Sequence, residues 1–338
     1  MSESTQVKYT RKDFTSDQAV RWCPGCGDYS ILTQTQKAFP DLGRKKEEFV
    51  FISGIGCSSR FPYYMDTYGF HSIHGRAPAI ASGVKITRPE LSVWLVTGDG
   101  DGLSIGANHT IHLLRRNLDI NVMLFNNRIY GLTKGQYSPT SEVGKITKST
   151  PMGSLDEPFN PLTLALGAGA TFIARTIDKE SKHLQEMITE SYQHKGTSFM
   201  EIYQNCNIFN DGAFSDFTDR DLKQDTVLWL KDGEPMIFGA DKNKGIRLEG
   251  NVPTVVEIGK KWSIDDLLVH DKKDYMIASM LSNMTSKPDT PEPIGVLYAV
   301  DKPTYEDNIE LQLEDAQNKK PKGSIQDILN AGDTWVVK

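Results

Sequence analysis

The chain has 338 residues, of which 38% are hydrophobic and 24% are charged, a composition typical of a soluble globular protein. Its net charge of −6 argues against a surface that binds nucleic acid or an anionic membrane. No apolar run approaches the roughly 20 residues that a membrane-spanning helix needs. The polar N-terminus lacks a signal-peptide core, which predicts a cytoplasmic protein.

The pattern of apolar and polar residues divides the chain into three parts. Residues 1–22 are polar and predict an N-terminal arm, whereas residues 23–210 alternate between strand-like and helix-like stretches. Residues 211–338 hold scattered short apolar runs among charged and Pro-rich pieces. This last part predicts a C-terminal extension that is either loosely ordered or packed on a partner subunit.

The central part predicts an alternation of helices and strands. In chain order these are a helix that begins at Asp28, the strand Phe49–Ser53, the helix Ala77–Thr87, the strand Ser92–Thr97, the helix Leu103–Arg116, the strand Ile120–Phe125, the helix Lys179–His194 and the strand Ser198–Tyr203. Continuous apolar strands between helices predict an α/β fold with a parallel sheet that helices cover on both faces.

Polar residues follow two neighbouring strands of this predicted sheet. The segment GDGD (98–101) follows one strand, and the pair NN (126–127) follows the next. Since the carboxyl ends of parallel strands meet at one edge, where open α/β sheets bind ligands, both segments are expected there. A carboxylate, a side-chain amide and a nearby backbone carbonyl form an all-oxygen set that suits Mg²⁺. The glycines allow a pyrophosphate to approach the backbone closely.

GDG followed by NN after a gap of 25 residues resembles the signature of thiamine-diphosphate enzymes. By this resemblance, the side chains of Asp99 and Asn127 and the carbonyl of Ile129 hold the metal. The alternative is that both segments are ordinary turns, because Gly, Asp and Asn are common turn residues. Their joint occurrence at this spacing, each after a buried strand, favours the cofactor site.

All four cysteines of the chain can reach the same edge. Cys23 and Cys26 precede the first predicted helix, and Cys57 and Cys206 each follow a predicted strand. Four cysteines beside an electron-releasing cofactor predict a [4Fe–4S] cluster, for which four-cysteine ligation is the normal set. A structural zinc site is the second interpretation, although zinc ligands usually come in two close pairs. A thioredoxin-like dithiol is the third, but no strand precedes the CxxC pair.

The thiamine signature and the CPGCG motif on one chain resemble the β subunits of 2-oxoacid:ferredoxin oxidoreductases. The resemblance covers roughly residues 15–300 and rests on WCPGCG (22–27), GIGCSSR (54–60), HSIHGRAPAIASGVK (71–85), GDGD (98–101), NNRIYGLTKGQ (126–136) and Cys206. It implies a thiamine-diphosphate-binding fold that carries thiamine diphosphate, Mg²⁺ and a [4Fe–4S] cluster. The implied reaction is oxidative decarboxylation of a 2-oxoacid, with CoA as acyl acceptor and ferredoxin as electron acceptor.

The resemblance also implies a partner. Thiamine enzymes hold the pyrimidine ring in a second domain of the same fold, and this chain has room for only one such domain. An α subunit is therefore expected to complete the site in a heterodimer or a dimer of heterodimers.

Several residues of the motif loops are candidates for catalysis or cofactor binding. His74 is a candidate proton carrier, Lys134 a partner for the substrate carboxylate, and Arg60 a partner for a second carboxylate. Each residue also has an ordinary explanation. His74 could be a polar histidine with its hydrogen bonds made within the fold, Lys134 a solvated surface lysine, and Arg60 an arginine paired with a nearby acidic side chain. The candidate cofactor-binding residues are Gly56, His74, Gly75, Gly98, Asp99, Gly100, Asp101, Asn127, Ile129, Gly131 and Leu132.

Two cations at the catalytic edge favour a dicarboxylic substrate. Pyruvate needs one cationic anchor, whereas 2-oxoglutarate needs a second for its distal carboxylate, and Lys134 and Arg60 supply two. The sequence therefore predicts 2-oxoglutarate, which would give succinyl-CoA and CO₂, with pyruvate or another 2-oxoacid as the alternative. A non-redox thiamine-dependent decarboxylase with structural zinc ranks below both.

Overall fold

The computed structural model describes residues 8–285, 287, 289–320 and 323–337. The strands are β1 (Phe49–Ser53), β2 (Tyr68–His71), β3 (Ser92–Gly98), β4 (Ile120–Asn126), β5 (Phe172–Ile177), β6 (Ser198–Tyr203), β7 (Val227–Trp229), β8 (Ile237–Phe238), β9 (Lys244–Glu249), β10 (Val252–Glu257) and β11 (Glu292–Ala299). The helices are α1 (Asp28–Ala38), α2 (Ala77–Thr87), α3 (Ala107–Arg116), α4 (Pro161–Gly167), α5 (Ser181–Gln193), α6 (Ser215–Thr218), α7 (Lys223–Thr226), α8 (Tyr275–Ser282), α9 (Tyr305–Lys319) and α10 (Ile325–Leu329).

Eight strands form the main sheet, in the order β2-β1-β3-β4-β6-β5-β11-β7. The strands β1 to β6 are parallel to one another, which confirms the predicted α/β class. β11 is antiparallel to β5, and β7 is parallel to β11, so these two strands run in the opposite direction. A separate antiparallel sheet has the order β10-β9-β8.

Alternate side chains of the strands enter two different cores. In β1, Val50 and Ile52 join the core beneath α2, α3, α4 and α8. Phe49 and Phe51 join the opposite core, beneath α1 and α5. Because each strand buries both of its faces, its sequence is continuously apolar, and helices cover the sheet on both sides as predicted. Within the described part of the chain, no helix is long and apolar enough to cross a membrane.

The predicted start of the helix Leu103–Arg116 was wrong. A π-helical turn occupies Asp101–Ile105, and α3 starts only at Ala107. The main-chain carbonyl of Asp101 accepts a hydrogen bond from the N–H of Gly106, five residues on, at 3.0 Å. This wider turn connects the loop that follows β3 to the start of α3.

The two terminal segments pack on the same sheet. In the N-terminal segment, predicted as a polar arm, Phe14 is fully buried and its ring contacts those of Phe39 and Phe49. The segment predicted as a C-terminal extension supplies β7 and β11, so the predicted boundary at residue 210 falls between strands of one sheet. The later helices α9 and α10 expose most of their side chains, and docking of this segment on a partner stays a prediction.

A buried arginine joins three strands of the main sheet. Arg175 on β5 is fully buried, and its Nε donates to Glu201 Oε2 on β6 at 2.7 Å. Its Nη1 donates to Glu292 on β11, and its guanidinium lies 5.0 Å from the ring of Tyr203. A buried charge is tolerated only when it is paired, so this cluster secures β11, the strand that arrives latest in the sequence.

We expect Arg175→Met to destabilise the fold by about 3–5 kcal/mol, because it leaves two carboxylates buried without their guanidinium. Denaturant unfolding followed by circular dichroism measures the loss. Arg88→Met removes an exposed ion pair with Glu90 and is the control, with an expected change below about 1 kcal/mol. Equal midpoints for Arg175→Met and the wild type would contradict a stabilising role for the cluster.

Candidate functional site

Loops that follow four adjacent parallel strands meet at one edge of the main sheet. They are residues 54–57 after β1, 99–101 after β3, 127–129 after β4 and 204–206 after β6. The sheet order therefore brings together the segments that the sequence analysis placed at one edge. This is the position at which open parallel sheets bind ligands.

Asp99 is a buried carboxylate held by two hydroxyl groups. Ser138 Oγ and Thr140 Oγ1 lie 2.5 and 2.6 Å from its Oδ2 as hydrogen-bond donors. Thr140 Oγ1 also lies 2.9 Å from Asn126 Oδ1 at the end of β4. Burial raises the pKa of Asp99, although the hydroxyls act in the opposite sense. Both hydroxyls hold one oxygen of the carboxylate, which restricts its orientation.

The NN turn is fixed by hydrogen bonds on both sides of Asn127. The Asn127 Nδ2 donates to Gln204 Oε1 at 2.8 Å, and its Oδ1 accepts from the N–H of Ile129 at 3.2 Å. Arg128, with φ of 55°, takes the left-handed conformation, and its carbonyl accepts from Ser141 Oγ at 2.6 Å. The turn that carries Asn127 and Ile129 is therefore rigid.

The chemistry of this donor set fits Mg²⁺. Asp99, Asn127 and Ile129 offer a carboxylate, an amide oxygen and a main-chain carbonyl, which are the oxygen ligands that Mg²⁺ prefers. Among the residues that the structure describes, no Lys or Arg forms an ion pair with the buried Asp99. A divalent cation would supply the missing positive charge.

Asp101 links three loops of the site. Its Oδ1 accepts from the N–H of Ile55 at 3.1 Å and of Gly75 at 2.7 Å, and it lies 2.5 Å from His74 Nδ1. Its Oδ2 accepts from Thr97 Oγ1 at 2.7 Å. Both carboxylate oxygens are thus bonded within the chain, and assignment of Asp101 to the cofactor stays a prediction. The bond to Nδ1 leaves His74 Nε2 as the ring nitrogen that is free for proton transfer, on a side chain that is 38% exposed.

All four cysteines line one cavity of about 190 Å³. A Cβ placed on Gly131 would lie 3.6 Å from the Sγ atoms of both Cys57 and Cys206. Burial, with Asp28 and the neighbouring thiols, raises the pKa of Cys57 to about 12. Among the described residues, no three Cys, His, Asp or Glu side chains converge closely enough to bind one metal ion.

Three cationic side chains line the same cavity as the cysteines, namely Arg21 and the two predicted candidates. Arg60 and Lys134 both border it, together with Asn127, Gly131 and Leu132. Arg60 Nε is buried and has no hydrogen-bond partner in the described part of the chain. A guanidinium that lines a cavity can bind an anion.

Sequence analysis missed three polar residues of the site, namely Ser138, Thr140 and Gln204. The first two lie in a hydroxyl-rich segment, SPTS (138–141), that folds back over the ends of β3 and β4. Gln204 directly follows β6, as Asn127 follows β4. The run of hydroxyl residues after the NN motif was the available signal. Their contacts depend on where a distant loop returns to the sheet.

Residues 54–202 match the family model described as "Thiamine pyrophosphate enzyme, C-terminal TPP binding domain". The matched region begins directly after β1, contains β2 to β5 and nearly all of β6, and includes three of the four loops described above. The fold and this match place the central part of the chain in the class of thiamine-pyrophosphate-binding domains.

Two relatives and one solved structure narrow this class. The chain is 52% identical over 330 residues to the 2-oxoglutarate oxidoreductase subunit KorB of Mycobacterium tuberculosis, across 96% of this chain and 88% of that one. It is 45% identical over 196 residues to subunit beta of the 2-oxoacid:ferredoxin oxidoreductase 1 of Aeropyrum pernix, across 58% of this chain and 62% of that one. The structure of the 2-oxoglutarate:ferredoxin oxidoreductase from Magnetococcus marinus, with 2-oxoglutarate, coenzyme A and succinyl-CoA bound, is similar with a TM-score of 0.78 and 32% identity over 98% of both chains.

The chain belongs to the family of β subunits of 2-oxoacid:ferredoxin oxidoreductases. This confirms the family and the oxidoreductase class that the sequence motifs predicted.

We expect Gly100→Ala to destabilise the fold by about 1–3 kcal/mol, because overpacking forces neighbouring groups to shift. The added Cβ would lie 2.1 Å from Cε1 of Tyr130, whose hydroxyl donates to the Gly100 carbonyl at 3.0 Å. The control is Gly83→Ala in α2, where the Cβ meets no atom within 4 Å and the helix should gain about 0.5–1 kcal/mol. Thermal unfolding measures the stability of both variants. Equal shifts of their melting temperatures would contradict the close packing of Gly100.

Proposed function

We propose that this chain is the thiamine-diphosphate-binding subunit of a 2-oxoglutarate:ferredoxin oxidoreductase. The enzyme would convert 2-oxoglutarate and CoA to succinyl-CoA and CO₂ and pass electrons through a [4Fe–4S] cluster to ferredoxin. One observation carries the proposal: four cysteines, the three cations Arg21, Arg60 and Lys134, and Asn127 line a single cavity. The names of the M. tuberculosis relative and of the M. marinus structure, which both include 2-oxoglutarate, support the choice of substrate.

Asp99, Asn127 and the carbonyl of Ile129 would hold Mg²⁺ in this enzyme. When bound, thiamine diphosphate supplies the electron sink that allows a 2-oxoacid to lose CO₂. The loops at Gly98, Gly100, Gly56 and Gly75 would bring main-chain N–H groups to the pyrophosphate.

Cys23, Cys26, Cys57 and Cys206 would bind the cluster. When bound, a [4Fe–4S] cluster supplies one-electron transfer. Mononuclear zinc with four sulfurs at about 2.3 Å would require the sulfurs to lie close together. The cysteines line one cavity, but Cys57 and Cys206 follow separate strands and do not form a second close pair in sequence, which favours the cluster over zinc.

Arg60 and Lys134 would bind the two carboxylates of the substrate. The buried Nε of Arg60 has no hydrogen-bond partner among the described residues. The described ion pairs also contain none between Arg60 and a neighbouring acidic side chain, which was the ordinary alternative. Lys134 also lines the cavity and is exposed, and its backbone takes φ of 75°. His74 would exchange a proton through Nε2, because Asp101 occupies Nδ1.

An α subunit would complete the site, since the β-subunit names of the relatives imply one. The edge strand β2 supports this arrangement, because Tyr68 and Phe70 expose 63% and 50% of their surface. Ile73 and Ile105, which flank the site loops, are 72% and 51% exposed. Exposed apolar side chains beside a site indicate a surface that another chain covers. Ferredoxin as acceptor and a cytoplasmic location stay predictions.

We expect the anaerobically purified chain to be brown and to contain about four irons, because all four cysteines serve one cluster. Iron and zinc analysis with the visible spectrum tests this expectation. Cys206→Ala should lower the iron content, whereas Ser149→Ala, at an exposed position far in sequence from every cysteine, should not. One zinc per chain without iron would contradict the redox proposal and favour the non-redox alternative.

We expect Arg60→Ala to lower kcat/KM for 2-oxoglutarate by about 10- to 100-fold in the complex with the α subunit. A charge-assisted hydrogen bond contributes about 1.5–3 kcal/mol, and pyruvate has no distal carboxylate that could lose this contact. Steady-state kinetics with both acids measure the change in preference.

Arg21→Ala is the matched control, because Arg21 lines the same cavity and carries the same charge. An equal loss of kcat/KM in Arg21→Ala would show that the effect comes from the overall positive charge of the cavity and not from a direct contact of Arg60 with the substrate. A preference of the wild type for pyruvate would overturn the choice of substrate.

A further inference from the structure

Gln204 contacts both halves of the site. It is 1% exposed and directly follows β6. Its Oε1 accepts a hydrogen bond from Asn127 Nδ2 at 2.8 Å. Its Nε2 donates to the carbonyl of Asn205 at 2.6 Å and to Cys26 Sγ at 3.3 Å. One buried amide therefore joins a candidate metal ligand to a candidate cluster ligand.

These three contacts fix the orientation of the Gln204 amide. In the flipped orientation, its oxygen would face the carbonyl of Asn205, and its NH₂ would face the NH₂ of Asn127. The observed orientation in turn fixes the amide of Asn127, because Nδ2 is bound to Gln204 and Oδ1 is turned to the opposite side. Only Oδ1 can bind a cation, so Gln204 determines which atom of Asn127 is available.

The contact with Cys26 has an electrostatic consequence. A hydrogen bond donated to a ligand sulfur stabilises the reduced cluster, which carries more negative charge than the oxidised one. Cys26 is half-buried, so little water competes with the amide for this sulfur. Loss of the donor should therefore make reduction less favourable.

We propose that Gln204 is a positioning residue that acts on both sites. It holds Asn127 Oδ1 toward the metal, and it raises the reduction potential of the cluster through Cys26. This inference rests on the proposed function, because it requires that Asn127 binds the metal and that Cys26 binds the cluster. Gln204 itself touches neither substrate nor reacting atoms.

Two variants separate the two roles in the full complex. Gln204→Met has a similar volume but neither donates nor accepts. We expect it to shift the cluster midpoint potential to a more negative value and to raise the Mg²⁺ concentration for half-maximal thiamine-diphosphate binding by about 3- to 10-fold. Gln204→Glu keeps an oxygen that accepts from Asn127, so the Mg²⁺ requirement should stay within about twofold while the potential still falls.

The measurements are a redox titration followed by electron paramagnetic resonance, and calorimetric titration of thiamine diphosphate at several Mg²⁺ concentrations. Gln34→Met is the control, because Gln34 is also buried but contacts Gln185 between α1 and α5. If Gln204 were merely structural, its substitution would lower the melting temperature but leave the cluster potential and the Mg²⁺ requirement unchanged.

The outcomes distinguish this inference from the function on which it rests. A wild-type protein without iron, or one that binds no thiamine diphosphate, overturns the proposed function. An iron-loaded Gln204→Met with an unchanged potential overturns the role toward the cluster. An unchanged Mg²⁺ requirement overturns the role toward Asn127. If Gln204→Met fails to fold, Gln204→Leu, which also lacks the amide and adds no charge, decides both roles.

Discussion

Four central groups of the site, Cys57, Asp99, Asn127 and Cys206, follow the carboxyl ends of β1, β3, β4 and β6. These four strands are adjacent and parallel, so their final residues lie in one row. This alignment of the strand ends follows from the parallel sheet alone, because parallel strands cannot be joined by tight hairpins and need crossover connections. Segments that are up to about 150 residues apart thus meet at one edge of the sheet.

The same polar residues stabilise the sheet and shape the site. A continuous set of contacts runs from Arg175 through Glu201, Asn126 and Thr140 to Asp99, with distances of 2.7, 2.7, 2.9 and 2.6 Å. Buried polar groups must be paired, and here each pairing also fixes the next side chain. The orientation of Asp99 therefore also depends on Arg175 in β5, a strand outside the four that carry the site loops.

The sequence predicted the elements whose signal is local. The strands β1, β3, β4 and β6 were found because each is a continuous apolar run, and the GDG and NN segments were found because their spacing matches one crossover. β2 was missed because its residues, such as Tyr68 and Phe70, are exposed on an edge and follow no burial pattern. β11 was read only as a short apolar run, because its antiparallel pairing with β5 depends on residues more than 100 positions earlier. In the site, the Ser138, Thr140 and Gln204 contacts likewise depend on tertiary placement.

The position of β11 has a consequence for how the chain folds during synthesis. Glu292, one of the two carboxylates that pair with Arg175, is made more than 100 residues after the arginine. Until β11 emerges, the nascent sheet ends at β5, with Arg175 held by Glu201 alone and an open strand edge beside it. Such an edge is a template for association with other chains. The interval between the synthesis of β5 and β11 is therefore the period in which this protein most needs a chaperone.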